Sequence, residues 1–154
     1  MIEWYGVDPV WRILFERDAR RAYGDRLRVV SHVEGLVYTL VDVEVPGDRE
    51  WHELQAVFYR HPPYETYGQR PEDAPLVTAR PDRLSKHRFA TGALCLWHPH
   101  DPPERRWTSD QGLRSLLELA IRHLFLELHW AATGGSNGGI WLLEDAPHGL
   151  GGRK

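Results

Sequence analysis

The first periodic stretch is "DPVWRILFERDARRAYG", residues 8–24. Val10, Trp11, Leu14, Phe15, Ala22 and Tyr23 recur there at spacings of three and four, which places them on one face of a helix. Asp8 stands at the N-cap, Pro9 suits the first helical position, and Gly24 is placed to end the helix. The pattern predicts about four turns with that apolar face buried.

Alternation then takes over. "RLRVVSHV" and "LVYTLVDVEV" are rich in Val, Leu and Tyr and are parted by Glu34-Gly35, a turn signal. Pro46-Gly47-Asp48 marks a second turn before "WHELQAVFY", and "LVTA" at 76–79 follows a proline-rich loop, "RHPPYETYGQRPEDAP". Strands joined by short connections predict an antiparallel meander of about four. Residues 81–92 carry no period, "ALCLW" is extended, and "HPHDPPERR" is a stiff loop.

The strongest period lies in "TSDQGLRSLLELAIRHLFLELHW". Leu113, Leu116, Leu117, Ala120, Ile121, Leu124, Phe125 and Leu128 form a helical stripe, and Thr108 with Gln111 has the spacing of a capping box. A Gly-rich connection, "TGGSNGG", leads to "IWLLEDAPHG" and a polar end. With no repeat and no linker, the order predicts one α+β domain over residues 1–150 and a flexible tail over 151–154.

Composition narrows the classes. A chain of 154 residues buries ~70% of its unfolded surface and folds without a staple. One cysteine allows no internal disulfide, which fits a cytoplasmic location. The N-terminus does not read as a signal peptide, and no run nears the ~18–20 apolar residues that span a bilayer. A net charge of −3 gives no nucleic-acid footprint, and the arginines at 17–28 alternate with Glu16, Asp18 and Asp25 as on a solvated face. Neither membrane nor nucleic acid is expected as a partner. Seven tryptophans point first to core packing and second to an interface.

Chemistry concentrates in "GALCLWHPHDPPERRW", residues 92–107. Cys95, His98, His100 and Asp101 are all zinc-ligand types, but paired Cys-x-x-Cys or helical ligand spacing is missing, so no metal is expected. A lone cysteine is by default a small buried hydrophobe. Two features shift the balance towards a nucleophile without settling it. The extended stretch around Cys95 is short and lies between irregular segments, and His87, eight residues upstream, could fold back over the thiol as an oxyanion donor. His87 as an ordinary exposed histidine stays equally open on pattern alone. "TGGSNGG" lacks the context of a phosphate loop and reads as a flexible connection, and His148 has no nameable partner. The final "GLGGRK" reads as a disordered end.

The order of elements resembles the ubiquitin-conjugating enzyme fold: an N-terminal helix, a four-stranded meander, a crossing that bears the cysteine, then a long central helix. "HPPYETYGQRPEDAPLV" resembles that family's tyrosine-proline stretch, "GALCL" its Gly-x-Ile-Cys-Leu segment, and "RRWTSDQGLRSLLELAIRHL" its tryptophan before the central helix. Together these cover residues 27–130. Where the eukaryotic family has His-Pro-Asn, this chain has Ser85-Lys86-His87, with His87 at the asparagine position. The end, "TGGSNGGIWLLEDAPHG", is similar to that of bacterial relatives from antiphage defence operons.

The resemblance implies a cytoplasmic transferase that needs no cofactor. Cys95 would accept, from an activating enzyme, the C-terminal glycine of a ubiquitin-like modifier or a cGAS-like nucleotidyltransferase. It would hold that acyl group as a thioester and pass it to an amine, such as a lysine. His87 would steady the oxyanion or the loop, with His98, His100 and Asp101 near the site. The first helix and the "RHPPYETYG" loop would be partner surfaces. The alternative is an adaptor of the same fold that binds a modifier or activating enzyme without carrying acyl.

Overall fold

The computed structural model describes residues 4–143 apart from 81, 82, 84 and 99. Helix α1 covers Pro9–Tyr23, strands β1 to β4 cover Leu27–His32, Gly35–Glu44, Trp51–Tyr59 and Leu76–Thr78, and helix α2 covers Leu113–Ala132. The strands form one antiparallel sheet in the order β1-β2-β3-β4. The chain is therefore α+β, with a helix, a meander, a long crossing and a second helix. Among these residues no helix is long and apolar enough to cross a membrane.

One face of the sheet is apolar because the strands alternate. Leu36, Tyr38 and Leu40 of β2 point inward beside Leu54, Ala56 and Phe58 of β3, and all six are fully buried. A bulge between Leu40 and Val43 puts Asp42 in the left-handed region at φ 54°. The extra residue shifts the inward face from even to odd positions, so Val43 and Val45 continue the core. Gly35 opens β2 because a Cβ there would sit 2.8 Å from the carbonyl oxygen of Phe58.

Helix α1 starts as its sequence implies: the Asp8 carboxylate accepts from the amides of Val10 and Trp11 at 3.0 and 3.4 Å. Its buried face, however, is rotated from the expected one. Phe15, Glu16 and Ala19 are buried, while Val10 and Leu14 are 66% and 59% exposed. Glu16 turns inward because Tyr38 donates its hydroxyl to it at 2.8 Å and Arg12 and Arg20 flank it at 3.0 and 2.9 Å. Two arginines and a phenol offset the cost of burying that carboxylate.

Helix α2 departs from expectation at its start. Thr108 and Gln111 form no capping box. Ser109–Gln111 is a 3-10 turn, and Gly112 at φ 86° precedes the helix without a side-chain cap. Thr108 donates to Asp110 instead, and Gln111 to the carbonyl of Arg106. Leu113, Leu116, Leu117, Ala120 and Leu124 enter the core as the stripe implies. His123, Leu126 and Glu127 are buried as well, so α2 is covered over more than that stripe.

Trp107 sits where the crossing meets the helices, 2% exposed, against Phe15, Phe58 and Trp97. Its indole N–H donates to the carbonyl of Gly112 at 3.0 Å, which holds the start of α2. Trp107→Ala leaves a large cavity and an unmet acceptor, so the expected cost is about 3–5 kcal/mol, read from the midpoint of urea unfolding.

Candidate functional site

The extended "ALCLW" segment is not a full strand. It forms the returning arm of a tight hairpin whose outgoing arm begins at His87. The amide of Cys95 donates to the carbonyl of His87 at 2.9 Å, that of Phe89 to Ala93 at 2.9 Å, and that of Gly92 closes the turn onto Phe89 at 2.9 Å. Arg88 and Leu94 are the bridged pair. Leu94 also donates to the carbonyl of Val77 at 2.9 Å, which docks the hairpin on the edge strand β4. Cys95 and His87, eight positions apart in sequence, thus face each other across two arms. His87 reaches that place through a left-handed backbone at φ 58°, a conformation that bulky residues adopt at a cost.

Cys95 and His87 line one cleft of about 490 Å³ between this hairpin and α2. Trp97, Asp101, Arg106 and Trp107 contribute from the crossing, His123 and Leu126 from α2, and Trp141 and Leu143 from the segment beyond the helix. Cys95 is half-buried, and its thiol makes a long 3.9 Å contact to the carbonyl of Trp97. Burial, and then the negative charge of Asp101, push the thiol up to about 11 from an ordinary 9.0. The resting group is a neutral thiol rather than a preformed thiolate.

The proposed neighbours separate. Asp101 lies in the cleft, 4% exposed, and its Oδ2 accepts from the amide of His98 at 2.9 Å. His98 and His100 belong to the other side of the crossing. His98 Nδ1 accepts from the amide of His100 at 3.1 Å, and both rings pack on Tyr67. His98 lines a second, more apolar groove of about 450 Å³ with Tyr59, Tyr64, Phe89 and Trp97. Among the described residues no group of three His, Cys, Asp or Glu side chains comes together as metal ligands. His148 and the diglycine at 151 and 152 lie outside the described residues.

Sequence reasoning passed over the groups beneath the cleft. Arg88 and Glu127 form a forked ion pair at 2.7 and 2.9 Å with side chains 4% and 1% exposed. Burial raises the Glu127 carboxyl, but the Arg88 guanidinium and His123 outweigh it and hold the group below its usual range. His123 Nε2 lies 3.2 Å from Glu127 Oε1, off the line of a hydrogen bond. Trp141 packs against both His87 and His123, with ring centres 4.8 and 5.3 Å away. A signal did exist: Leu116, Ala120, His123 and Glu127 follow one another at helical spacing, so two polar residues continue the buried stripe.

In comparisons with known proteins, no family model matches the chain, and neither curated proteins nor solved structures give a significant match. The neutral thiol gives a direct expectation. The rate of Cys95 alkylation by iodoacetamide reaches half its maximum near pH 11 rather than near 9.0. Asp101→Asn moves that midpoint down by removing a charge that opposes the thiolate, while leaving the contribution of burial. A pH–rate series on both proteins measures it.

Proposed function

We propose that the protein is an acyl-carrier transferase of the ubiquitin-conjugating kind, with Cys95 as the carrier. The observation that carries the reading is the placement of the chain's single cysteine opposite His87 in a hairpin, both lining an open cleft. The order of helix, meander, cysteine-bearing crossing and central helix is compatible with that fold.

The chemistry runs in two exchanges at one carbonyl. The Cys95 sulfur attacks an acyl group already activated by a partner enzyme; the S–H proton departs with the activating group and a thioester remains. An amine then attacks the thioester carbonyl, the C–S bond breaks, and the amine proton is lost as the thiol is restored. His87 donates to the oxyanion that forms as the amine attacks. Asp101, in the same cleft, attracts an incoming ammonium and receives its proton.

A thiol of high pKa suits a carrier. It is a poor leaving group, so the thioester persists until an aligned amine arrives, and the free thiol resists stray oxidation. His98 and His100, facing Tyr67, fit a partner surface better than proton transfer. The exposed Val10, Ile13 and Leu14 of α1 offer a second such surface for the activating enzyme. The acyl group would be the C-terminal glycine of a ubiquitin-like modifier or cGAS-like nucleotidyltransferase, within bacterial antiphage defence. The competing reading is an adaptor that keeps the fold and never loads; a fully buried sulfur would favour it, whereas Cys95 is half-buried and lines the cleft.

Intact mass spectrometry decides between them. Wild type and Cys95→Ala are each coexpressed with the genes that neighbour this one and analysed with and without reductant. The expected result is an adduct on wild type that thiol removes and that the alanine variant lacks. Wild type that co-purifies a partner yet stays unmodified overturns the carrier and leaves the adaptor. His87→Ala is expected to load normally and discharge to amine ~10²-fold slower, as for loss of one oxyanion donor.

A further inference from the structure

The Arg88 guanidinium does more than pair with Glu127. Its Nε and Nη2 donate to the two Glu127 oxygens, while Nη1 donates to the carbonyls of Arg80 at 2.7 Å and Gly92 at 3.0 Å. One buried group therefore fastens three places together: the start of the crossing, the turn of the hairpin, and the C-terminal half of α2. Arg88 is also the residue between His87 and Phe89, so whatever fixes Arg88 fixes the His87 carbonyl that Cys95 pairs with. Glu127 reaches His87 by a second route, through His123 and the ring of Trp141.

The hairpin has need of such a fastening. A pair of arms this short is marginal on its own, and the outgoing arm contains a histidine held in the left-handed region. An ion pair this deep is an inefficient source of stability, because removing both charges from water costs about what their attraction returns.

We propose that Arg88 and Glu127 are positioning residues, which hold the hairpin so that Cys95 and His87 face one another across the cleft. The proposal deepens the acyl-carrier reading and rests on it for its functional consequence. Neither residue touches the reacting atoms; both act through the backbone of the hairpin. The pin couples the transfer site to α2, in addition to the hydrogen bond from Leu94 that docks the hairpin on β4.

The test is the double variant Arg88→Met/Glu127→Leu, which swaps the pair for apolar side chains. A buried pair replaced in this way commonly leaves stability unchanged or raised, so thermal unfolding is expected at or above the wild-type midpoint. Alkylation of Cys95 by iodoacetamide at fixed pH is expected to rise by about tenfold as the freed hairpin opens the thiol. In the loaded system, discharge to amine is expected to fall ~10²-fold in kcat with KM for the amine unchanged, the cost of misaligned groups. A folded variant that alkylates at the wild-type rate overturns the proposal.

Arg88→Lys provides a second probe. It keeps the charge opposite Glu127 but cannot span Glu127, Arg80 and Gly92 together, so an intermediate rise in alkylation is expected. A wild-type rate there overturns the proposal too. So does loss of fold in both variants, because the pair would then hold the domain and not the hairpin. A wild-type protein that never forms a thioester sinks the acyl-carrier reading, while the alkylation measurements still decide the pinning.

Discussion

A four-stranded sheet with one apolar face has to be covered, and the two helices on that face decide where everything else can go. Leu36, Tyr38, Leu40, Leu54, Ala56 and Phe58 meet Phe15 of α1 and the leucines of α2 in one continuous core. Each such side chain contributes roughly 1.5–3 kcal/mol when fully buried, so the arrangement tolerates little sliding. Trp107 fills the junction at which the crossing leaves the sheet and turns into α2. With both ends of the crossing held, its middle has one place to lie, along β4 and over α2. The cysteine is there.

Two of the buried carboxylates, one on each helix, differ in what surrounds them. Glu16 is met by Arg12 and Arg20 of its own helix and by the Tyr38 hydroxyl, which ties α1 to β2. Glu127 is met by His123 of its own helix and by Arg88, which ties α2 to the hairpin. The first joins regular elements that already pack. The second joins a rigid helix to the segment that carries the thiol, where a charge-assisted fork supplies direction that apolar contacts cannot.

The cleft is built for a neutral thiol. Partial burial and the carboxylate of Asp101 both disfavour the thiolate. A cysteine protease or peroxide sensor needs the opposite environment, with a nearby cation that draws the pKa down. A carrier loaded by an activated donor has no such need, since the donor supplies the driving force and the thiol has only to be presented.

Much of the fold was legible because local rules settle it. Asp8, Pro9 and Gly24 bounded α1; the alternation in residues 27–59 set the meander; and the leucine spacing set α2. Cys95 and His87 were legible as a candidate pair from the short extended stretch between irregular segments. Other features depended on contacts between distant segments. Which face of α1 is buried followed from Tyr38 meeting Glu16, not from the spacing of Val10 and Leu14. The capping box was lost because Gln111 found the carbonyl of Arg106. His98 and His100 turned to Tyr67, thirty or so residues upstream, and Asp101 alone of that loop's candidates turned to the thiol's cleft. Arg88 and Glu127 lie thirty-nine positions apart, and no spacing rule joins them. Periodicity records which side of an element is apolar; it carries no information on which partner across the core satisfies a buried charge, because that partner is chosen by packing in three dimensions.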